Sequence, residues 1–270
     1  MRSAPNNLTH SCCPILRWMA ILCFSGLLSC PVMTQPPSKN AGLDAKAALD
    51  KLTVDELIAK LQEESEQGIG THATAWASGF IAIDEEPQFR GGIIGSVKPA
   101  TSPVLREIVR RGVNALPKLL EHVDDKRPTK LVIKHDGGIG GMWHSDEFHS
   151  RYADPKKWPP KINTRLEKSD GFEKGKEFEA RYTIRVGDLC FVALGQIVNR
   201  GLHVVRYQPS ACIVINSPVI TSALAEAVRK DWSGLTADQH KHSLNDDANS
   251  KFPYATSAAL KRLLFYYPRP

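Results

Sequence analysis

The chain has 270 residues, 42% of them hydrophobic and 24% charged, an ordinary globular balance with length for one sizeable domain or two small ones. Its formal net charge is +6, of which Arg2 and Arg17 belong to an N-terminal leader, leaving +4 spread among many acids. A surplus of that size bears on solubility and gives no bulk-charge argument for nucleic-acid binding.

Arg17 precedes "WMAILCFSGLLSC", a positive flank followed by an apolar run and small residues, the three parts of a secretory signal over residues 1–29. The run from Trp18 to Ser29 is twelve residues, against the ~20 a membrane-spanning helix needs. The reading is therefore a removed leader. Leu27-Leu28-Ser29-Cys30 resembles the lipobox of bacterial lipoproteins, which implies lipidation of Cys30 as the mature N-terminus. A plain cleaved signal with an incidental cysteine is the alternative. Residues 30–45, with "PVMTQPPSKNAG", read as a flexible tether, and residues 46–270 as one domain. Of the six cysteines, Cys12, Cys13 and Cys23 lie in the leader and Cys30 is the candidate lipid site. Cys190 and Cys212 remain; an oxidising compartment allows a bridge between them, while Cys190 also fits a buried free thiol. No CxxC pair occurs.

Thr53 and Glu56 have capping-box spacing, and Leu52 with Leu57 that of a hydrophobic staple, so a helix is expected from Thr53, striped by Leu57, Ile58 and Leu61 and stopped by Gly68. Residues 69–100, with Gly70, Gly79, Gly91, Gly92 and Gly95, read as turns and short extended pieces. From Pro103 the helical period returns through Val104, Leu105, Ile108 and Val109, and Gly112 is placed to end it. A second stripe runs through Val113, Leu116, Leu119, Leu120 and Val123, with Asn114 as cap, Pro117 in the first turn and Asp124-Asp125 closing it. "TKLVIK" reads as a strand. Residues 150–181 are polar and proline-bearing, with alternating lysines and glutamates that suit a solvated surface. Val186, Leu189, Cys190, Ala193, Leu194, Ile197 and Val198 share one broad helical face. "SACIVINSP" reads as a buried strand ending at Ser217, which is placed to cap a helix from Pro218 to Trp232 that buries Ile220, Leu224, Ala227 and Val228. Two short helices, 236–245 and 257–266, finish the chain.

The stretch "HDGGIGGMWHSDEFH", His135 to His149, concentrates the suggestive chemistry. His144, Asp146 and His149, with His135, Asp136 and Glu147 in reserve, are ligand types for zinc or manganese. His144 and His149 lie about 140° apart on a helix, so only a loop converges them, and a polar glycine-bearing loop is the preferred reading. "GGIGG" lacks the GxGxxG spacing and the Gly-Lys-Ser/Thr sequel of a phosphate loop, and reads as a turn. Asp84, Glu85 and Glu86 are adjacent carboxylates that fit an exposed turn better than an acid–base pair. No GxSxG occurs to anchor serine catalysis, and His240 and His242 at i, i+2 splay across a helix. Trp143 and Trp158 flank the polar stretch, either pinning it to the helices or serving as exposed anchors for a protein or carbohydrate.

"ALPKLLEHVDD", Ala115 to Asp125, is similar to the first helix of a HEAT repeat, and "VGDLCFVALGQI", Val186 to Ile197, to the second. The resemblance implies a mainly α fold of HEAT-like antiparallel helical pairs, with small residues at Cys190, Ala193 and Gly195 allowing close helix approach. The chain departs from the pattern by an irregular, partly β insertion, residues 128–181, between the two halves. Gly187 also stands where the family has arginine; Arg185 nearby is a substitute partner for Asp124 or Asp125. Such a domain in a bacterial secreted protein or lipoprotein implies a non-enzymatic, envelope-tethered binding or scaffold protein. It would be held at the membrane by its lipid and would bind another envelope protein rather than nucleic acid. The alternative is a metal-dependent hydrolase using His144, Asp146 and His149.

Overall fold

The computed structural model describes residues 47–65, 79–83, 102–135, 141–144, 181–207, 213–251 and 253–268. They form a mainly α structure with two small β-sheets. Helix α1 spans Val54–Lys60, α2 Pro103–Arg110, α3 Leu116–Glu121, α4 Val186–Val198, α5 Ser222–Trp232, α6 Ala237–Ala248 and α7 Pro253–Tyr266. Strands β1 (Pro128–Lys134) and β3 (Arg181–Arg185) pair antiparallel. In the second sheet β5 (Ile213–Ile215) is central, parallel to β2 (Met142–His144) and antiparallel to β4 (Val205–Tyr207). Among the described residues no helix is long and apolar enough to cross a membrane.

The Thr53–Glu56 capping box forms, with Thr53 N donating to Glu56 Oε2 at 2.7 Å and Glu56 N to Thr53 Oγ1 at 3.3 Å. The helix stops at Lys60 and tightens into a 3-10 turn, Leu61–Glu63, well before Gly68, which lies outside the described residues. Ser102 caps α2, accepting from Leu105 N at 3.0 Å while its hydroxyl donates to Glu64. Gly112 adopts φ +58° and a 3-10 turn, Gly112–Ala115, leads into α3. Asn114 is therefore exposed rather than a cap, and Ala115 holds the N-cap position without a side-chain bond.

The expected meeting of the 104–123 and 186–198 stripes is present. Leu105, Ile108, Leu116, Leu119 and Leu120 share one core with Val186, Leu189, Ala193 and Ile197. Helix α4 departs from expectation in one respect: all thirteen of its residues are buried, not one face. Phe191 and Val192, which a one-sided helix would expose, are also in the core. The 128–181 segment is likewise no simple appendage. It leaves through β1 and returns into β3, paired strands whose inner residues Leu131, Ile133, Tyr182 and Ile184 are buried in that core.

Burial on every side makes partners inside the protein necessary for the ends of α4. At the N-terminus, Val186 N donates to Arg127 O at 2.9 Å and Gly187 N to Asp125 O at 3.0 Å. The C-terminal carbonyls meet basic side chains. Arg262 Nε donates to Gln196 O at 2.6 Å, His240 Nε2 to Ile197 O at 3.0 Å, and Arg200 Nη1 to Val198 O at 3.2 Å and Asn199 O at 3.0 Å. The two arginines among them also place positive charge at the negative end of the helix dipole. Asn199 ends the helix in the left-handed region at φ 57° and donates from Nδ2 to Asp247 Oδ2 at 2.8 Å.

Two glycines of α4 are required by close approach. A Cβ at Gly187 would lie 2.6 Å from Val123 O and 2.7 Å from Asp125 N, and one at Gly195 2.6 Å from Arg200 O. The small residue at 195 thus admits the chain folding back after the helix, where a neighbouring helix was expected. Arg185 does not pair with Asp124 or Asp125. Its Nη1 reaches Lys126 O at 3.5 Å, while Arg229 takes Asp124 at 2.5 Å and Arg127 takes Asp125 at 2.6 Å. The last long helix expected from Pro218 starts at Ser222 instead, because residues 218–220 form a turn, and Ile220 is exposed.

Gly187→Ala is expected to cost about 1–3 kcal/mol, the usual range for overpacking, because both nearest atoms are backbone; chemical denaturation measures it. Burial, with Arg262 and Arg200 nearby, pushes His240 down to about 4. A base depressed on folding stabilises the native state above its unfolded pKa near 6.5 and loses that contribution as pH falls through about 4. Wild type should therefore lose stability relative to His240→Gln between pH 6.5 and 4, read as a difference in Tm.

Candidate functional site

A buried polar cluster lies where β2, β3, β5 and the start of α4 converge. Asp188 sits in the first turn of α4, where a carboxylate is favoured by the helix dipole. It is fully buried and accepts from Arg185 N at 2.9 Å, Tyr182 Oη at 2.7 Å and Ser217 Oγ at 2.5 Å. Tyr182 comes from β3, its neighbours Arg181 and Thr183 turned outward by strand alternation. Ser217 follows β5, and its Oγ also accepts from Val219 N at 3.1 Å. The two hydroxyls lie 3.0 Å apart. His144 ends β2, and its ring stands edge-on to that of Tyr182 with centroids 5.8 Å apart. Because β2 and β5 are parallel, His144 pairs with Ile215 and shares the carboxyl edge of the sheet with Ser217.

Desolvation raises Asp188 to about 6, opposed by the hydroxyl and backbone donors. Burial, with Asp188 beside it, raises the Tyr182 phenol far above its ordinary range, so it stays a proton donor. Both hydroxyl protons are thereby committed to one carboxylate. The cluster joins three elements, and its chemistry is proton sharing rather than a freed nucleophile. It was missed in the sequence because Tyr182, Asp188 and Ser217 are spread over thirty-six positions with no motif. Asp188 three residues after Arg185, at the head of an apolar helix, was the available signal.

Of the metal-candidate set, His144 is described and partly buried, whereas Asp146 and His149, with Asp136 and Glu147, lie outside the described residues. His135 is half-buried just after β1. Among the described residues no group of three or more His, Cys, Asp or Glu side chains is placed to hold a metal ion. Gly141, the last glycine of "GGIGG", accepts from Ile213 N at 2.9 Å, a sheet contact rather than an anion cradle. Cys190 is buried as a free thiol, raised by desolvation, and Cys212 lies outside the described residues, as do Cys30, Trp158, Asp84, Glu85 and Glu86. Trp143 contributes its backbone to β2. His240 and His242 do splay: His240 is buried, and His242 is exposed 3.6 Å from Asp246.

A second ionic cluster surrounds the turn after α3. Burial raises Asp125, but the Arg127 side chain and backbone and the His122 ring outweigh it, holding the carboxyl down to about 2. Its carbonyl also receives Gly187 N, so this turn seats the start of α4. No protein-family model, curated protein or solved structure matches the chain.

Asp188→Ala leaves two buried hydroxyls without their acceptor and is expected to cost about 3 kcal/mol or more. The pH response is separable. A carboxyl raised on folding contributes stability that is full below its unfolded pKa near 3.8 and is lost as pH rises through about 6. The Tm advantage of wild type over Asp188→Asn should grow as pH falls from 7 to 4.5; a shrinking advantage would mean the carboxyl is depressed instead.

Proposed function

We propose that the chain is a non-enzymatic, envelope-tethered binding or scaffold protein, built on HEAT-like helical pairs and anchored through a lipid on Cys30. The observation that carries the binding half of this reading is on α7. Leu264 and Leu260, one helical turn apart, are 71% and 48% exposed, while Ala258, Ala259 and Arg262 on the same helix are buried. Large apolar side chains held outward on a rigid helix are the kind of anchor a protein partner buries. The helix is well fixed. Tyr266 Oη donates to Val109 O at 2.5 Å, and Phe80 packs edge-on against Phe265 and Tyr266 at 5.5 and 5.6 Å. Arg262 lies over the Phe80 ring at 4.5 Å from its centroid.

The partner is inferred to be another envelope protein, and the anchor reading rests on the leader and Leu27-Leu28-Ser29-Cys30. Crosslinking in the native envelope, with wild type and Leu260→Glu/Leu264→Glu, tests the binding surface. A discrete adduct that the double variant loses, at unchanged Tm, is expected; identical adducts from both overturn it. Intact mass of the mature chain should show an acylated cysteine at position 30, and an unmodified start elsewhere overturns the anchor. Metal analysis of untagged protein checks the non-enzymatic half: stoichiometric zinc or manganese, lost in His144→Ala/His149→Ala, would favour a metal-dependent hydrolase.

A further inference from the structure

The two-stranded sheet has a basic outer face. Exposure alternates along both strands, so Thr129, Leu131, Ile133, Tyr182 and Ile184 turn inward. Lys130, Val132 and Lys134 on β1, with Arg181, Thr183 and Arg185 on β3, occupy the other side. Neither strand carries a carboxylate. Lys134 and Arg181 are directly opposed in the register, and neither has an ion-pair partner among the described residues. Lys130 pairs with Glu63 of the 3-10 turn. The Arg185 side chain donates from Nη1 to Lys126 O at 3.5 Å, and its Nε is buried without an acceptor. Like charges facing each other across a ladder destabilise the sheet. An anionic partner would offset that cost.

We propose that this face docks onto the anionic phospholipid headgroups of the bilayer that carries the lipid anchor. The proposal rests on the envelope-anchored reading, since a lipid on Cys30 would hold the domain beside such a surface. The chemistry favours headgroups over nucleic acid. The outward positions hold Lys, Arg, Val and Thr and no aromatic ring for base stacking, because Tyr182 faces the core. The few cations are also short of the roughly six to ten phosphate contacts usual for duplex binding. A small cationic patch on a chain that also carries a lipid is, in contrast, how two weak membrane signals combine into stable attachment.

The test is sedimentation of the full chain with phosphatidylcholine vesicles, with and without phosphatidylglycerol, at low and high salt. Arg2 and Arg17 of the leader are common to wild type and variant, so the difference between the two in the increment due to phosphatidylglycerol is the quantity read. Lys134→Gln/Arg181→Gln should reduce that increment roughly 25-fold, about fivefold per charge, and high salt should abolish it. Removing a like-charged cross-strand pair should leave Tm unchanged or raised, which separates lost docking from lost folding. An increment as large in the variant as in wild type overturns the proposal, as does a duplex DNA oligonucleotide that binds more tightly than the vesicles at equal salt. The anchor is judged separately by mass. An unacylated chain that keeps the charge-dependent increment overturns the anchor alone, and an acylated chain whose increment ignores the two substitutions overturns the docking face alone.

Discussion

A thirteen-residue helix with no solvent-facing side must find partners inside the protein for the backbone groups its own turns leave unpaired. Each such group left buried and unsatisfied costs about 1–3 kcal/mol, so a handful would rival the stability of an ordinary domain. Much of the rest of this structure follows from meeting that demand around α4. The turn after α3 presents the carbonyls of Asp125 and Arg127 to the N-terminus, and Arg200, His240 and Arg262 bring donors to the last carbonyls. The basic residues buried at the far end are placed to donate to those carbonyls.

The same constraint explains the polar cluster at the near end. Asp188 is expensive to bury, and it is retained with three donors because it ties β3, α4 and the segment after β5 to one point. His144 comes to this point because β2 pairs in parallel with β5. The chain leaves the helical core after β1, contributes β2 to the second sheet, and re-enters through β3 beside β1. The polar stretch is thus stitched to the core at both ends and once in between.

Outward-facing features divide into an apolar pair on α7 and a basic face on the β1–β3 sheet. They have different energetics. Leucines on a rigid helix favour a partner by burial of apolar area, largely independent of salt, whereas exposed lysine and arginine act over a Debye length and weaken as salt rises. The two surfaces can be engaged independently, because they draw on separate forces.

By itself the sequence determined what is local. Capping at Thr53, the apolar stripes of α2 and α4, the strand at 128–134 and the closing helices depend on neighbours within a turn or two, and their side-chain spacing is legible directly. Tertiary structure alone decided what is relational. Ser217 was placed as a helix cap, yet its hydroxyl serves Asp188, 29 positions away, and α5 begins only at Ser222. Arg229 and Arg127, rather than Arg185, neutralise the paired aspartates because α5 and the post-α3 turn reach them first. Periodicity gave α4 one apolar face, and the structure buried all of it, since a pattern records how apolar a side is and not how many neighbours arrive to cover it. The reason is physical: a helix is specified by bonds four residues long, and a buried polar cluster by contacts that exist only once distant segments have met.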